Sequence, residues 1–497
     1  MFLWWVILGL IVSLAAVIII RAAVYRDTDN QNKPFAISNK VPGFDIHQKA
    51  ERFAELLRCR TIHPAKAGDD WSPDDYSQFV LFRNLLQKFY PLIHEKLELE
   101  LVNEHSLLYR WPGKSSERPM VLMAHYDVVP ADEGQWRFPP FSGTIDGDII
   151  WGRGSLDTKC TFFAVMEAVE ALLAEAYVPQ NDFYLAFGHD EETMGQGAPA
   201  IVDLLNSRNV KPIMVLDEGG AIVEGVFPGI KPPIAVVGMS EKGLTDIEVI
   251  LEGSGGHSST PGSITPLAVM SKIILQLAKN PFKANLPAEV KAMFAILGKQ
   301  MPFYLRLIFA NLWLFKPLLI AALPILGREL NALCRTTCVF TMVEGSKAAN
   351  VIPERVRAVA NLRLAASDPH QKALQHLTEQ AIKAAGKALK GKDSFKLRVN
   401  QLYAHDASPS ASTESTAYKL LVEAIEAVFQ GVVVTPYIML GASDSRHFCR
   451  ISDNVFRFSP LKMSKEELRS IHGINEHITF NQLSGVIGFY YYLVKRS

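Results

Sequence analysis

The chain lacks any excess of charge. Lys and Arg together number 51, and so do Asp and Glu, which excludes the broad basic surface that nucleic-acid binding needs. Cysteine is scarce: Cys59, Cys160, Cys334, Cys338 and Cys449 are the five in 497 residues. Few, odd in number and scattered, they argue against a disulfide framework. Cys334 and Cys338 are close in sequence, but no second Cys or His pair lies nearby, so they make a poor zinc site. No repeat of solenoid length and no low-complexity tract is visible, which excludes a stacked array. A composition of 48% hydrophobic and 21% charged residues is that of a globular chain long enough for two or three cored domains.

One long apolar run is present, from Phe2 to Ile20, ended by Arg21 and Arg26. It is about long enough to cross a bilayer. No basic side chain precedes it, which favours an uncleaved membrane anchor (residues 1–21) over a cleaved signal peptide that would leave the body secreted. Arg21, Arg26, Lys33 and Lys40 follow the run and would keep the body on the cytoplasmic side. Large translocated domains override that rule, so the side stays open. Residues 22–44, with Asp27, Asn30, Gln31, Asn32 and Pro34, are expected to form a linker.

From Phe44 onward the pattern alternates between helical and strand periods. Helical spacing is expected over Asp45–Arg60, Tyr76–Phe89 and Thr161–Ala174. Strands are expected at Leu97–Val102, Leu107–Tyr109, Met120–Ala124, Gln180–Phe187 and Ile213–Leu216. After residue 240 the order becomes strand, helix, strand, strand, helix, strand: Thr245–Leu251, Pro266–Ala278, Thr337–Val343, Arg355–Leu364, Pro369–Lys387 and Phe395–Leu402. That is the split βαβ order of a ferredoxin-like sandwich. The fold class is therefore α/β, a mixed sheet flanked by helices, built from residues 45–240 and 405–497. An inserted α+β lid, also a candidate dimerisation domain, covers 241–404. Within the insert, Met301–Leu326 is unusually apolar. Arg306, Lys316, Pro317 and Pro324 break it too often for a membrane span, and its reading divides between buried packing and a greasy surface for lipid or an acyl chain.

Polar residues recur just past strand ends, where open α/β sheets build their sites. They are His125 and Asp127, Glu191 and Glu192, Glu218 beside Asp217, Asp157 on a glycine-punctuated turn, and His472. Carboxylates and imidazoles without a thiolate suit zinc, with cobalt or manganese as substitutes. Asp157 can bridge two ions, with Glu192 and His472 completing one site, and His125 and Glu218 the other. Two close metals can generate a nucleophile and polarise a carbonyl. Asp127 is placed to support the His125 imidazole, and neighbouring side chains diverge, so Glu191 can face a substrate while Glu192 faces a metal. Taken singly, each His is as readily a satisfied buried residue, and Asp190-Glu191-Glu192 an acidic loop.

The motifs His125-x-Asp127-Val-Val-Pro, Gly152-Arg-Gly-Ser-x-Asp157-x-Lys159, Asp190-Glu191-Glu192, Asp217-Glu218-Gly, Gly256-His257-Ser-Ser, Asn350-Val-Ile-Pro, Gly-x-Ser-Asp-Ser-Arg446 and Ile471-His472-Gly occur in one order. In this the chain resembles the dinuclear zinc aminoacylase and carboxypeptidase S family over about residues 45 to 495, nearest its N-fatty-acyl-amino-acid synthase/hydrolase branch. The resemblance implies two zinc ions on His125, Asp157, Glu192, Glu218 and His472, with Asp127 supporting His125 and Glu191 as general base. It selects Glu218 over Asp217. It also implies that His257 reaches from the lid, or from a partner subunit in a homodimer, to stabilise an oxyanion. Asn350, Arg446 and, less directly, Arg363 would hold the substrate carboxylate. The implied activity is hydrolysis, or reverse synthesis, of the amide bond of N-acyl amino acids with long acyl chains. The alternative is a carboxypeptidase or dipeptidase acting on short peptides.

Overall fold

The computed structural model describes residues 2–26, 34–64, 76–227, 229–390 and 395–497. Its centre is a mixed sheet. Strands run side by side in the order Glu98–Val102, Ser106–Trp111, Asn181–Gly188, Ser115–His125, Met214–Asp217, Val455–Arg457, Ile234–Glu241, Ile222–Val223 and Lys462–Met463, and Val433–Met439 also pairs with Ile234–Glu241. Asn181–Gly188, Ser115–His125 and Met214–Asp217 are mutually parallel neighbours, so their carboxyl ends emerge together.

The alternation expected of strands divides the core. Met120, Leu122 and Ala124 face a large cluster beneath helices Ile46–Leu57, Lys159–Ala174, Thr416–Val428 and Phe480–Arg496. Val121 and Met123 face a smaller one under helix Gly197–Ser207. A strand covered on both faces reads as a continuous apolar run, as Met120–Ala124 does.

The inserted sheet is antiparallel in the order Thr337–Glu344, Arg355–Leu364, Gly243–Glu252, Lys396–His405. Helices Pro266–Lys279 and His370–Ala385 contribute Val269, Ile273, Ala373 and Leu377 to its core. The chain enters this unit directly from Ile234–Glu241. Met301–Leu326 forms two helices, Phe303–Phe309 and Leu312–Leu326, bent by 101° at their junction. Pro317 and Pro324 lie inside the second.

Helix Phe2–Val24 is exposed almost throughout, with Ala22 buried against the body. Of the stretch expected as a linker, residues 27–33, including Asp27, Asn30, Gln31 and Asn32, lie outside the described residues. Beyond them the chain is already packed: Ala36–Ile37 pairs antiparallel with Phe429–Gln430, and the Asn39 amide donates to the Ser484 carbonyl at 3.0 Å.

The junction between the two sheets is fixed by a buried ion pair. Glu241, at the end of its strand, accepts from Arg457 Nε at 2.7 Å, Ser443 N at 3.0 Å, and the hydroxyls of Ser443 at 2.8 Å and Ser445 at 3.0 Å. Neither charged side chain is exposed to any useful degree, at 1% for Glu241 and 0% for Arg457. Removing one partner of such a pair strands the other charge without a counterion. Arg457→Met is therefore expected to destabilise the fold by about 3–5 kcal/mol, read as a lower urea midpoint at unchanged slope.

Candidate active site

Three neighbouring strand ends deliver the first ligand candidates. Ser115–His125 ends on His125, Asn181–Gly188 leads into the turn bearing Glu191 and Glu192, and Met214–Asp217 leads into Glu218. His125 is opposite Gly188 in the register. Asp157 and His472 come from loops. His125 Nε2 lies 3.1 Å from Asp157 Oδ1 and 3.3 Å from Glu218 Oε1. His472 Nε2 lies 3.0 Å from Asp157 Oδ2 and 3.0 Å from Glu192 Oε1. Asp157 thus presents one oxygen to each of two groups. Metal bonds of about 2.0–2.2 Å in a tetrahedral site separate neighbouring ligand atoms by about 3.3–3.6 Å, close to these spacings. The donor set is hard oxygen and imidazole nitrogen, and the ligand atoms of His125, Asp157 and Glu192, and of His125, Glu191 and Glu218, lie within 4.8 Å of one another. These residues fit a pair of divalent cations, which would also offset four carboxylates gathered in one recess.

Asp127 organises the site from behind. It is fully buried. His125 Nδ1 lies 3.0 Å from its backbone carbonyl and 3.3 Å from Oδ1, which turns Nε2 toward the cluster. The same carboxylate accepts the N–H of Glu191 at 3.3 Å and of Glu192 at 3.0 Å. One side chain therefore orients both the imidazole and the Glu-Glu turn. Asp190 completes that turn, accepting from Gln196 N at 2.7 Å and Gly197 N at 3.0 Å. A Cβ at Gly195 would fall 1.9 Å from Asp190 Oδ2, so the turn closes only with glycine there. His63 and His189 lie within ligand distance of Asp190 as well, but its oxygens serve the turn and His189 Nδ1 lies 2.7 Å from Ser106 Oγ.

Of the two carboxylates at the carboxyl end of strand Met214–Asp217, Asp217 and Glu218, it is Glu218 that faces His125. Asp217 points elsewhere and accepts Ser445 N at 3.0 Å. Behind them Gly220 meets the Val236 carbonyl, where a Cβ would sit 1.9 Å from oxygen.

Glu476 lies outside every motif in the sequence. Fully buried, it accepts from the backbone N–H of Leu156 at 2.7 Å, Asp157 at 3.1 Å and Gly154 at 3.2 Å, and from Arg153 Nη1 at 2.7 Å. Arg153 Nη2 in turn donates to the Gly473 carbonyl at 2.7 Å. The pair ties the Asp157 turn to the His472 loop. Its signal in sequence is faint, an acidic residue four positions after His472. Asp444, the acid of the motif Gly-x-Ser-Asp-Ser-Arg446 to which the resemblance assigns no role, also lies here: a Cβ on Gly188 would come within 2.8 Å of Asp444 Oδ2, so its carboxyl borders the strand that delivers Glu191.

Burial sets the protonation pattern. It pushes Glu191 well above the usual carboxylate range, opposed by His125 and reinforced by the charges of Asp444, Glu218 and Glu192. Glu218 is pushed up to about 7, again chiefly by burial. Burial acts the same way on Asp157, yet the His125 and His472 hydrogen bonds outweigh it and hold that carboxyl far below its ordinary value. Hydrogen bonds to Asp157 and Glu192 raise His472 to about 10.

The remaining expected residues bond outside the cluster: Arg446 Nη1 donates to the Ser443 carbonyl at 2.5 Å, and its charge acts on Asp444. His257 and Asn350 share one exposed corner of the insert: Gly256–His257 pairs with Val351–Ile352, and Ser258 N donates to the Asn350 carbonyl at 2.9 Å. His257 Nδ1 lies 2.7 Å from Ser259 Oγ, not against any ligand candidate. Arg363 and Arg446, one from each sheet unit, both act on half-buried His405, which burial first and then these two cations hold below its ordinary pKa.

Fold and site together define a metallohydrolase of the peptidase type. The model of peptidase family M20/M25/M40 matches residues 121–496, and the chain belongs to that family. It is 34% identical over 480 residues to a probable carboxypeptidase S-like 2 of Dictyostelium discoideum, covering 95% of this chain and 90% of that one. It is 32% identical over 501 residues to the N-fatty-acyl-amino acid synthase/hydrolase PM20D1 of Xenopus tropicalis, covering 99% and 94%. Among solved structures, an M20 family metallo-carboxypeptidase of Sulfolobus solfataricus superposes with a TM-score of 0.64 at 20% identity, covering 91% of this chain and 99% of that one. A dinuclear metal-binding M20 peptidase of Bacillus subtilis does so with 0.55 at 13% identity, covering 90% and 98%.

Asp127→Asn should keep the fold but weaken metal retention or activity by about 10–100-fold, the usual effect of losing the group that orients a ligating histidine. Metal analysis after dialysis against a graded chelator series reads it, and unchanged retention together with unchanged activity would count against the orienting role.

Proposed function

We infer that the protein hydrolyses, and under the opposite concentrations synthesises, the amide bond of N-acyl amino acids carrying long acyl chains. The observation that carries this reading is an apolar cavity of about 450 Å³ beside the site. Gly219 and Gly220, which follow Glu218 in the chain, line it together with Leu326, Leu330 and Leu333, and Glu329, Lys465 and Arg469 add charge to the mainly apolar wall. Pockets of this size bury most of a drug-sized ligand, and an acyl chain needs an apolar slot continuous with the scissile carbonyl. The similarity to the synthase/hydrolase supports the same reading. Carboxypeptidase action on short peptides is the second reading, supported by the similarity to the carboxypeptidase S-like protein.

In the mechanism proposed, His125, Asp157, Glu192, Glu218 and His472 would hold two zinc ions, with cobalt or manganese as substitutes. Such ions would supply Lewis-acid activation of a water and of the amide carbonyl. Glu191 takes a proton from the attacking water on its carboxylate and hands it to the leaving nitrogen; its raised pKa suits both halves of that exchange. Arg446 and Arg363, converging on His405, would hold the substrate carboxylate, with Asn350 as a further contact. His257 and Asn350 are exposed and would approach a site by movement of the insert, or across a homodimer; His257 would then stabilise the oxyanion. Residues 45–240 and 405–497 serve as the catalytic unit and 241–404 as its lid. The N-terminal helix is read as a retained anchor, because its last turns bond to the body. Arg21 donates to the Ala310 carbonyl at 3.1 Å, and Asn311 donates to the Ile18 carbonyl at 3.2 Å.

Glu191→Gln should retain both metals while kcat falls by about 10²–10⁴-fold; wild-type turnover by that variant, or by a metal-free preparation, would overturn the mechanism. Because burial raises the Glu191 pKa, activity should rise with pH along an acidic limb displaced above that of an ordinary glutamate, and Glu191→Gln should abolish the limb. Rates on an oleoyl amino acid and on an N-blocked dipeptide separate the two substrate readings. A strong preference for the dipeptide would favour the second.

A further inference from the structure

Helix Leu312–Leu326 turns the wrong face outward for a soluble protein. Its exposed residues are Trp313, Leu314, Pro317, Leu318, Ala321, Pro324, Ile325 and, at its last position, Leu326, and at about 100° per residue the first seven fall within an arc of about 140°, which Leu326 widens to about 220°. No polar side chain interrupts that arc, while Leu319 and Leu323 are buried on the opposite side. Trp313 is 59% exposed, Leu318 61% and Ile325 89%. Ordinary surface helices show the reverse pattern, and a contiguous apolar patch of this kind marks an interaction surface.

What covers it is indicated by the neighbouring helix. Phe303–Phe309, itself exposing Phe303 and Tyr304, packs along the C-terminal part of Phe2–Val24. Arg21 and Asn311 bond across that contact, and the Tyr25 hydroxyl donates to the Ala295 carbonyl at 2.6 Å. Phe2–Val24 has the length and composition of a membrane span, and none of its most apolar window is buried by the protein. The outward apolar helix is thus joined to a segment that itself needs an apolar solvent. At the foot of this assembly lies a cavity of about 310 Å³ lined by Arg26, Lys231 and Arg306 together with Phe303. Buried Arg306 Nε has no hydrogen-bond partner among the described residues. Cations beneath an apolar and aromatic face are the composition that anionic lipid surfaces attract.

We propose that the outer face of Leu312–Leu326 and the Arg26, Lys231 and Arg306 cavity form one bilayer-contacting surface continuous with the N-terminal span. The face enters the acyl region of the leaflet, and the cavity takes the phosphate of an anionic lipid headgroup. This goes beyond the amidohydrolase reading, and none of its tests reads activity.

The full chain is reconstituted in phosphatidylcholine and phosphatidylglycerol vesicles with an environment-sensitive thiol label at Leu318→Cys. Val343→Cys, 52% exposed on the inserted sheet, is the comparison site, and the unsubstituted chain is the blank for native thiols. Brominated acyl chains should quench the label at residue 318 and leave that at residue 343 unchanged. Quenching at residue 318 by aqueous iodide alone would overturn the proposal. So would protection from both quenchers, the result expected if a second copy covers the face. For the cavity, native mass spectrometry of protein released from mixed nanodiscs should show phosphatidylglycerol retained over phosphatidylcholine, with the preference lost in the Lys231→Gln, Arg306→Gln double variant. Equal retention of both lipids by the unsubstituted protein would remove the headgroup site.

Discussion

The carboxylate of Asp127 is the contact on which the site's shape depends. It lies at the carboxyl end of one strand and receives two backbone N–H groups from the turn after the next strand. By fixing that turn it decides where Glu191 and Glu192 begin, and by facing His125 it decides which imidazole nitrogen is free. A fully buried carboxylate is costly unless its oxygens are satisfied, and here the satisfying groups are the backbone of the adjacent site residues. Desolvation cost and site geometry are therefore the same interaction.

The same device recurs around the recess. Asp190 closes the Glu-Glu turn, Asp217 receives Ser445 N, Glu241 gathers the Ser443 loop and Arg457, and Glu476 gathers the Asp157 turn. Each is an acid at a strand or loop end that accepts main-chain amides, from within its own turn for Asp190 and from a distant segment for Asp217, Glu241 and Glu476. The result is a ring of loops held by buried acids, with a second set of carboxylates left facing inward. Packing supplies the frame: alternating side chains of three parallel strands between two apolar clusters bring the ends level.

Much of this was legible in the residues. Apolar period marked helix Thr161–Ala174, found at Lys159–Ala174, and strand Arg355–Leu364, found at those bounds. Both elements bury enough side chains for local pattern to mark them. The grouping of His125, Asp157, Glu192, Glu218 and His472 followed from ordered motifs, because a strand end fixes direction as well as position. Glu476 was not legible, since its amide partners are about 320 residues away and carry no side-chain signature. The choice of Glu218 over Asp217 came from the resemblance and not from residue type, since adjacent acids differ only in which wall each meets. Met301–Leu326 was ambiguous for a related reason. Hydrophobicity on all sides does not say which side is covered, and that depends on Leu319 and Leu323 finding the core.

Leu326, the last residue of the outward apolar helix, also lines the cavity that Gly219 and Gly220 share. Were that helix seated in a leaflet, a molecule with a long hydrocarbon tail would have an oily route from lipid to catalytic recess, its tail never crossing water. Encounter would then be a two-dimensional search, and the concentration governing turnover would be the substrate's mole fraction in the membrane. Diluting the bilayer with inert lipid would slow the reaction even with every bulk concentration held fixed.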